Sequence, residues 1–292
     1  MAMDSSKVKL PRSVVLEMAK KAKDVSTIAA LSTPIPQIFA DSEHMVFTGK
    51  SEAEVVAEGA NKSSYEQELQ FVQGKRVKLV TTTRVTDELR WADEDSRIGI
   101  VEAIQADQLA ALGRAIDYVV YHAINPKTGA ALDGYTSLVS QAASVTAVED
   151  ETENIDAMAD KLIERDINGL AVSREFASSL RKIRVPNTGM RLYPEVPLSL
   201  DVSDIDGIRA VASGTVNGKL ATEPTKVRAI MGDFDMIKWG MVRDAYSEII
   251  EYGDPDNSGV DLKGANMIAY RTESMFSYAV LDPKAFCVLK SA

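Results

Sequence analysis

The sequence predicts a mixed α+β fold organised around one long helix, and three observations carry that prediction. Apolar residues recur every three to four positions from Ile98 to Ile124, the spacing of a single helical face. Val77, Leu79, Thr81, Thr83 and Val85 alternate with Lys78, Val80, Thr82 and Arg84, the period of a strand with two distinct faces. Beyond residue 186, proline and glycine repeatedly interrupt short apolar runs, which is the punctuation of strands joined by surface loops. With 292 residues, 45% of them apolar, the chain can bury one large core or two closely packed ones.

Taken in order, residues 1–12 are polar and include Pro11, and a short helical pattern follows with Val14, Val15, Met18 and Ala22 on one face. Pro34 and Pro36 then impose an extended path. From Ser51 to Thr86 the pattern is of strands separated by the polar stretch Ala60 to Ser64, which reads as a long two-stranded excursion. An isolated hairpin is at best marginally stable in water, so this one needs a surface to lie on, and another subunit is one such surface. The long helix spans Ile98 to Ile124, with Asp95 or Ser96 placed to cap its start and Asn125-Pro126 to end it.

Lys127 to Gly134 is rich in turn residues, and a second helix is expected over Asn154 to Arg165. Gly169 to Val172 reads as a short buried strand, and Ser173 caps a helix running through Arg181. Loops and short strands occupy Pro186 to Pro224, around the apolar run Ile208 to Val211. Ala229 to Asp233, Asn266 to Tyr270 and Phe276 to Leu281 are the remaining strands, followed by Pro283-Lys284-Ala285-Phe286 and a final apolar Cys287-Val288-Leu289.

Charge bounds the partners. The chain has 33 basic and 43 acidic residues, a formal net charge of −10, which disfavours broad attachment to nucleic acid. The first 24 residues reverse that sign, with Lys7, Lys9, Arg12, Lys20, Lys21 and Lys23 against Asp4, Glu17 and Asp24. A basic arm on an acidic body suits an acidic neighbour or a phosphate backbone, and equally an ordinary solvated segment. No apolar run is long enough for a membrane span and no export leader is visible, so assembly in the cytoplasm is expected.

The templates of chemistry fail one after another. His44, His122 and the single cysteine, Cys287, cannot close a zinc site without carboxylates, and Cys287 reads as a small buried hydrophobe. Gly214 to Lys219 is one residue short of a phosphate-binding loop, and Leu220 stands where a hydroxyl belongs. Asp254, Asp256 and Ser258 with Gly259 imitate the start of a calcium loop, but Ala265 stands where the closing carboxylate belongs. Both read as turns, and no cofactor, metal or catalytic residue is assigned.

Read in sequence, these pieces resemble the bacteriophage major capsid proteins of the Hong Kong 97 type over nearly the whole chain. Leu10-Pro11 with the helical Val14 to Lys23 resembles that family's N-terminal arm, and Pro34 to Val46 its strand entering the peripheral domain. Val55-Val56-Ala57-Glu58-Gly59 with Lys62 is similar to the signature of its extended loop, and Lys75 to Arg84 to the loop's returning strand. Val85-Thr86-Asp87-Glu88-Leu89 resembles the approach to its spine helix, and Ile98 to Ile124 the helix itself. Ile230 to Phe234, Tyr270 to Glu273 and Asp282 to Phe286 resemble its later turn and closing strands.

The resemblance implies a Hong Kong 97-type capsid fold with an N-terminal arm (1–24), an extended loop (50–86), a peripheral domain (25–49, 87–133 and 266–292) and an axial domain (134–265). It implies a non-enzymatic head protein that assembles with itself into pentamers and hexamers, forming an icosahedral virion shell around double-stranded DNA without reading its sequence. Inter-subunit contacts are expected from Lys7, Lys9 and Arg12 of the arm and from Glu58, Lys62, Lys75 and Arg76 of the extended loop. The implied partners are a portal protein, decoration proteins in some relatives, and a separate scaffolding protein, which Met1 just ahead of the arm favours over removal of a scaffolding segment. Some relatives crosslink a loop lysine to an asparagine; Lys50 and Lys62 have the location, but ordinary salt bridges explain such lysines better. An encapsulin-like nanocompartment shell is the alternative within the fold, and a soluble metabolic enzyme the alternative outside it.

Overall fold

The computed structural model describes residues 26–36, 43–47, 53–62, 64, 69–88, 94–186 and 188–291. The basic arm with Lys7, Lys9 and Arg12, its helix over 14–22, and Lys50 lie outside the described residues.

A short helix α1 (Thr27–Leu31) is capped by the Ser26 side chain, which accepts from the Ala29 N–H. Strands β1 (Glu43–Phe47) and β2 (Leu69–Gln73) form an antiparallel hairpin, with Met45 opposite Phe71. After Gly74 the chain enters β3 (Lys75–Thr86), and the long helix α2 (Glu94–Asp117) follows, continuing into a π-helical turn over Tyr118–His122. Ala123 ends that turn in the left-handed conformation, at φ 52°. A mid-chain switch from α to π winding marks a place where side chains or loops must be accommodated, and here it meets a buried polar cluster.

Beyond it come α3 (Leu138–Gln141), β4 (Ala143–Thr146), α4 (Glu151–Lys161), β5 (Gly169–Ser173) and α5 (Arg174–Leu180). Ser173 caps α5 as its sequence predicts, accepting from the Phe176 N–H at 3.2 Å. The chain then runs through β6 (Asp204–Ile205), β7 (Ile208–Ser213), β8 (Val227–Gly232), β9 (Ile237–Ile250), β10 (Met267–Val280) and β11 (Phe286–Lys290).

Two sheets organise these strands besides the hairpin. One is antiparallel, in the order β3-β10-β9; the other is mixed, in the order β4-β11-β8-β5-β7-β6. The larger sheet is covered on both faces, which is why its central strands are nearly continuously apolar. Ala171, Ile230 and Val288 face a core shared with α1, α2 and the π turn, while Leu170, Met231 and Leu289 face a second core closed by α4 and α5. Gly169 lets the larger sheet approach the Phe234 ring, since a Cβ there would stand 2.5 Å from it.

Several expectations are corrected by these pairings. The excursion expected over residues 50–86 is not a single two-stranded limb. β2 pairs with β1, whereas β3 pairs with β10 from Lys75 to Thr86 and buries Val77 and Leu79 in the core. Residues 266–292, expected together, divide between the sheets: β10 joins the smaller one and β11 the middle of the larger. The long helix begins at Glu94 rather than after a cap at Asp95 or Ser96, and the helix expected over 154–165 runs from Glu151 behind the cap Asp150. Asn266–Tyr270 and Phe276–Leu281 are one strand, β10, because the intervening Thr272 and Ser274 point into the buried face. β9 was not anticipated; Gly240 and the charged Arg243-Asp244 interrupt its pattern, and register shifts near Arg243 show a bulge that absorbs them.

Candidate inter-subunit surfaces

None of the described side chains of the β1–β2 hairpin belongs to either hydrophobic core. Because directly opposed residues of an antiparallel pair share a face, Met45, Phe71 and Leu69 lie on one side, and they are 56%, 59% and 49% exposed. Three large apolar side chains gathered on one thin limb form a patch that water covers poorly. The loop beyond is almost wholly exposed: Val55 has no cover at all, and the turn at Glu58-Gly59 is made possible by Gly59 at φ 81°. Glu58 and Lys62 both stand in solvent on that loop.

At the root of the hairpin, Gln73 to Lys78 with Tyr135 and Met275 line an open cleft of about 530 Å³. Lys75 and Arg76 are on its wall, so two of the residues expected at contacts come together there, while Glu58 and Lys62 are out on the loop. The Tyr135 hydroxyl donates to the Arg76 carbonyl at 2.8 Å and fixes the cleft floor. Lys78, on the same wall, pairs with Glu273 at 2.9 Å.

The sequence reading missed the polar junction behind these surfaces. Asp117, the last residue of α2, is fully buried. Its carboxylate accepts from the Thr27 N–H and hydroxyl, both at 2.9 Å, the Thr215 hydroxyl at 2.6 Å, the Ile28 N–H at 3.2 Å and the Ser26 hydroxyl. Burial pushes its pKa up, and the hydroxyl and N–H donors pull against that. The signal was legible in part, since Asp117 sits three residues before Val120 and one after Ile116, inside the apolar face of the helix.

His122 lies on the π turn, with Nε2 donating to the Thr215 carbonyl at 3.2 Å and Nδ1 accepting from the Thr225 hydroxyl at 3.1 Å. It is a buried histidine with both ring nitrogens hydrogen-bonded. Burial lowers its pKa to about 4, against the opposing effect of its backbone hydrogen bonds. Between pH 6.5 and about 4 the unfolded chain therefore takes up a proton that folded His122 refuses. Stability falls across that window as pH drops, by about 3 kcal/mol from this group. Asp117 acts oppositely: its raised folded pKa favours the fold most below pH 3.8, and that gain is lost as pH rises through the raised value. Urea midpoints between pH 7 and 4.5 should decline for the native sequence and flatten for His122→Gln; parallel profiles would refute the assignment.

The calcium-like loop between β9 and β10 also resolves as structure. Asp254 accepts from the N–H groups of Ser258 and Gly259, and the Arg84 guanidinium sits between Asp254 and Asp256 while donating to the Val260 carbonyl at 2.9 Å. Burial would raise Asp254, but its hydrogen bonds outweigh that and bring it down to about 2. An arginine fills the position a cation would take. Among the described residues no group of three or more histidine, cysteine or acidic side chains could hold a metal ion, and no helix is long and apolar enough to cross a membrane.

A family model described as the phage capsid family matches residues 7–291. A solved chain from Mycobacterium phage Ogopogo is 33% identical, with a TM-score of 0.81, covering 91% of this chain and 92% of that one. One from Gordonia phage Cozz is 29% identical, with a TM-score of 0.75 and coverage of 91% and 86%. A chain from Mycobacterium phage Bobi, 15% identical, shares the fold at a TM-score of 0.67, covering 100% of this chain and 94% of that one. No curated protein sequence matches this chain.

Proposed function

The chain belongs to the phage capsid family: it is a major capsid protein with an α+β, Hong Kong 97-like fold, a self-associating structural subunit of an icosahedral virion shell and not an enzyme; from that premise we propose how its parts divide the work of assembly. The hairpin β1–β2 with its loop is the limb that reaches a neighbouring copy. The observation that carries this is the exposed apolar face of Met45, Phe71 and Leu69 on an element with no core of its own. An unsupported hairpin is marginal in water, and an obligate interface, on the order of 2,000 Å² or more, would cover it.

Glu58 and Lys62 then form polar contacts at the rim of that interface, and Lys75 and Arg76 present a basic cleft to an acidic segment of the neighbour. Lys7, Lys9 and Arg12 extend the same logic to the arm, whose positive charge suits an acidic body. The six-stranded sheet with its loops acts as the axial unit that joins copies into pentamers and hexamers, and β3, α2, β9 and β10 form the peripheral unit. Double-stranded DNA fills the shell without sequence readout, since the net charge of −10 argues against broad phosphate binding. A separate scaffolding protein, a portal protein and, in a decorated shell, a decoration protein complete the set of partners.

The test is direct. Met45→Asp with Phe71→Asp should leave the melting temperature within a few degrees, because both side chains are already in water, while closed shells disappear from electron micrographs. Normal shells from this variant would overturn the role given to the hairpin. The family match favours a genome shell over an encapsulin-like compartment, and particles that carry protein cargo and no DNA would reverse that preference.

A further inference from the structure

The segment that follows α5 concentrates positive charge on a chain that is acidic overall. From Phe176 to Pro194 it carries Arg181, Lys182, Arg184 and Arg191 and no acidic residue. Arg184 and Arg191 stand directly opposite each other in a small antiparallel bridge, and both are exposed. The Val185 N–H donates to the Met190 carbonyl at 2.9 Å, and the Leu192 N–H to the Ile183 carbonyl at 3.2 Å. Those bonds flank the arginine pair instead of joining it, which makes it a non-hydrogen-bonded pair, the kind whose side chains come closest. Opposed Cβ atoms in such a pair are about 4.5–5.5 Å apart, and like charges so placed repel.

Among the described residues, neither these two arginines nor Arg181 makes an ion pair. Arg184 commits one guanidinium nitrogen to the carbonyls of Arg181, at 3.1 Å, and Ile183, at 3.4 Å. That turns it back toward the end of α5, where Arg181 is the cap. There the Arg181 Nε is buried with no hydrogen-bond partner among the described residues. Lys182 differs, because it lines a cleft with Glu149, Asp150 and Glu151 and so has acids beside it. Asp206, Asp156 and Glu195 act on Tyr193, just beyond the bridge, and pair with none of the three arginines.

We propose that Arg184 and Arg191, with Arg181 behind them, hold the phosphate backbone of double-stranded DNA from the lumenal side of the shell. This contact rests on the reading of that shell as a genome container. Guanidinium forks bind phosphate oxygens bidentately, and contacts to the backbone alone carry no sequence preference. Duplex DNA bears one charge per about 1.7 Å of axis, dense enough to meet three guanidinium groups at once. An acidic peptide would need three carboxylates on one short stretch to do the same. An anion between Arg184 and Arg191 also replaces their mutual repulsion with attraction to a shared partner. The net charge of −10 disfavours broad coating, but not a contact confined to one hairpin.

The experiment uses the full chain and a labelled duplex of mixed sequence, with binding followed by fluorescence anisotropy. For three phosphates, log affinity should fall against log salt with a slope of about −2.7, a loss of about fortyfold between about 50 and 200 mM. Arg184→Gln with Arg191→Gln should flatten that slope to about −0.9, while melting holds or rises slightly because the opposed charges are gone. Arg184→Lys with Arg191→Lys should keep the slope and weaken binding several-fold, since the charge stays and the forks are lost. A native slope near zero, or one that the glutamine variant leaves unchanged, would overturn the contact. Polyglutamate competing as well as duplex would overturn it too, in favour of an acidic protein partner. Arg191→Cys should resist a bulky maleimide in intact filled shells and react in dissociated subunits, where Cys287 stays buried; labelling of intact shells would place the hairpin outside and refute the lumenal contact. Native shells that hold no DNA would instead remove the reading of a genome container, and this contact with it.

Discussion

Asp117→Ala should cost the folded subunit about 4 kcal/mol, the largest loss expected from any single side chain here. The carboxylate gathers five donors from Ser26, Thr27, Ile28 and Thr215 in a site with no access to water. Removing it leaves buried donors without an acceptor, at about 1–3 kcal/mol each for those that find no substitute. Thr27 has one, since its hydroxyl also lies 2.8 Å from the Tyr121 hydroxyl. Asp117→Asn keeps one acceptor oxygen but adds two N–H donors to a cluster already rich in them, so an intermediate loss is expected.

Asp117 joins three parts of the chain: the segment that follows the N-terminal arm, the end of α2, and the loop after β7. Its loss should therefore loosen the attachment of α1 as well as the core. Chemical denaturation gives the first effect, and faster hydrogen exchange at Thr27 and Ile28 the second. A variant as stable as the native chain, with those amides still protected, would show that the cluster is not what holds this junction.

Replacing residues 48–68 with a short glycine-serine turn should abolish shells while leaving a folded subunit. The reason lies in the strand pairing. The described side chains of the hairpin contribute nothing to either core, whereas Val77 and Leu79 of β3 are buried in the first one. A longer deletion, reaching residue 78, would remove an edge of the smaller sheet and unfold the protein, which would say nothing about assembly. The shorter one separates the two outcomes: melting within a few degrees of the native chain, and no closed particles by electron microscopy. Shells of normal size from this variant would mean that the loop of the limb is dispensable and that any contact is made by the β1–β2 strands alone.

Much of this architecture is legible in local pattern, and the gaps have identifiable causes. The alternation from Val77 to Val85 gives a strand, whose two faces differ in burial only from Val77 to Val80, and Ser173 gives a helix start to the residue. The apolar hairpin face could have been read from the alternation of Met45 in β1 and of Leu69 and Phe71 in β2. It went unremarked because surface and core strands share the same pattern. β9 and the middle of β10 were hidden because Thr272 is buried through hydrogen bonds to Gln108 and Ser247, an arrangement that only long-range partners make tolerable.

Local periodicity thus determined the long helix, the β3 strand and several of the shorter elements, because those depend on neighbours a few positions away. The same sequence also excluded a closed metal or phosphate site and carried the family resemblance through its ordered motifs. Tertiary structure alone decided that β3 pairs with β10 and not across the limb, that β11 enters the larger sheet, and that an acid within a helix is the junction of three segments. Backbone hydrogen bonds are the same for every strand, so the choice of partner lies in packing between residues almost two hundred positions apart.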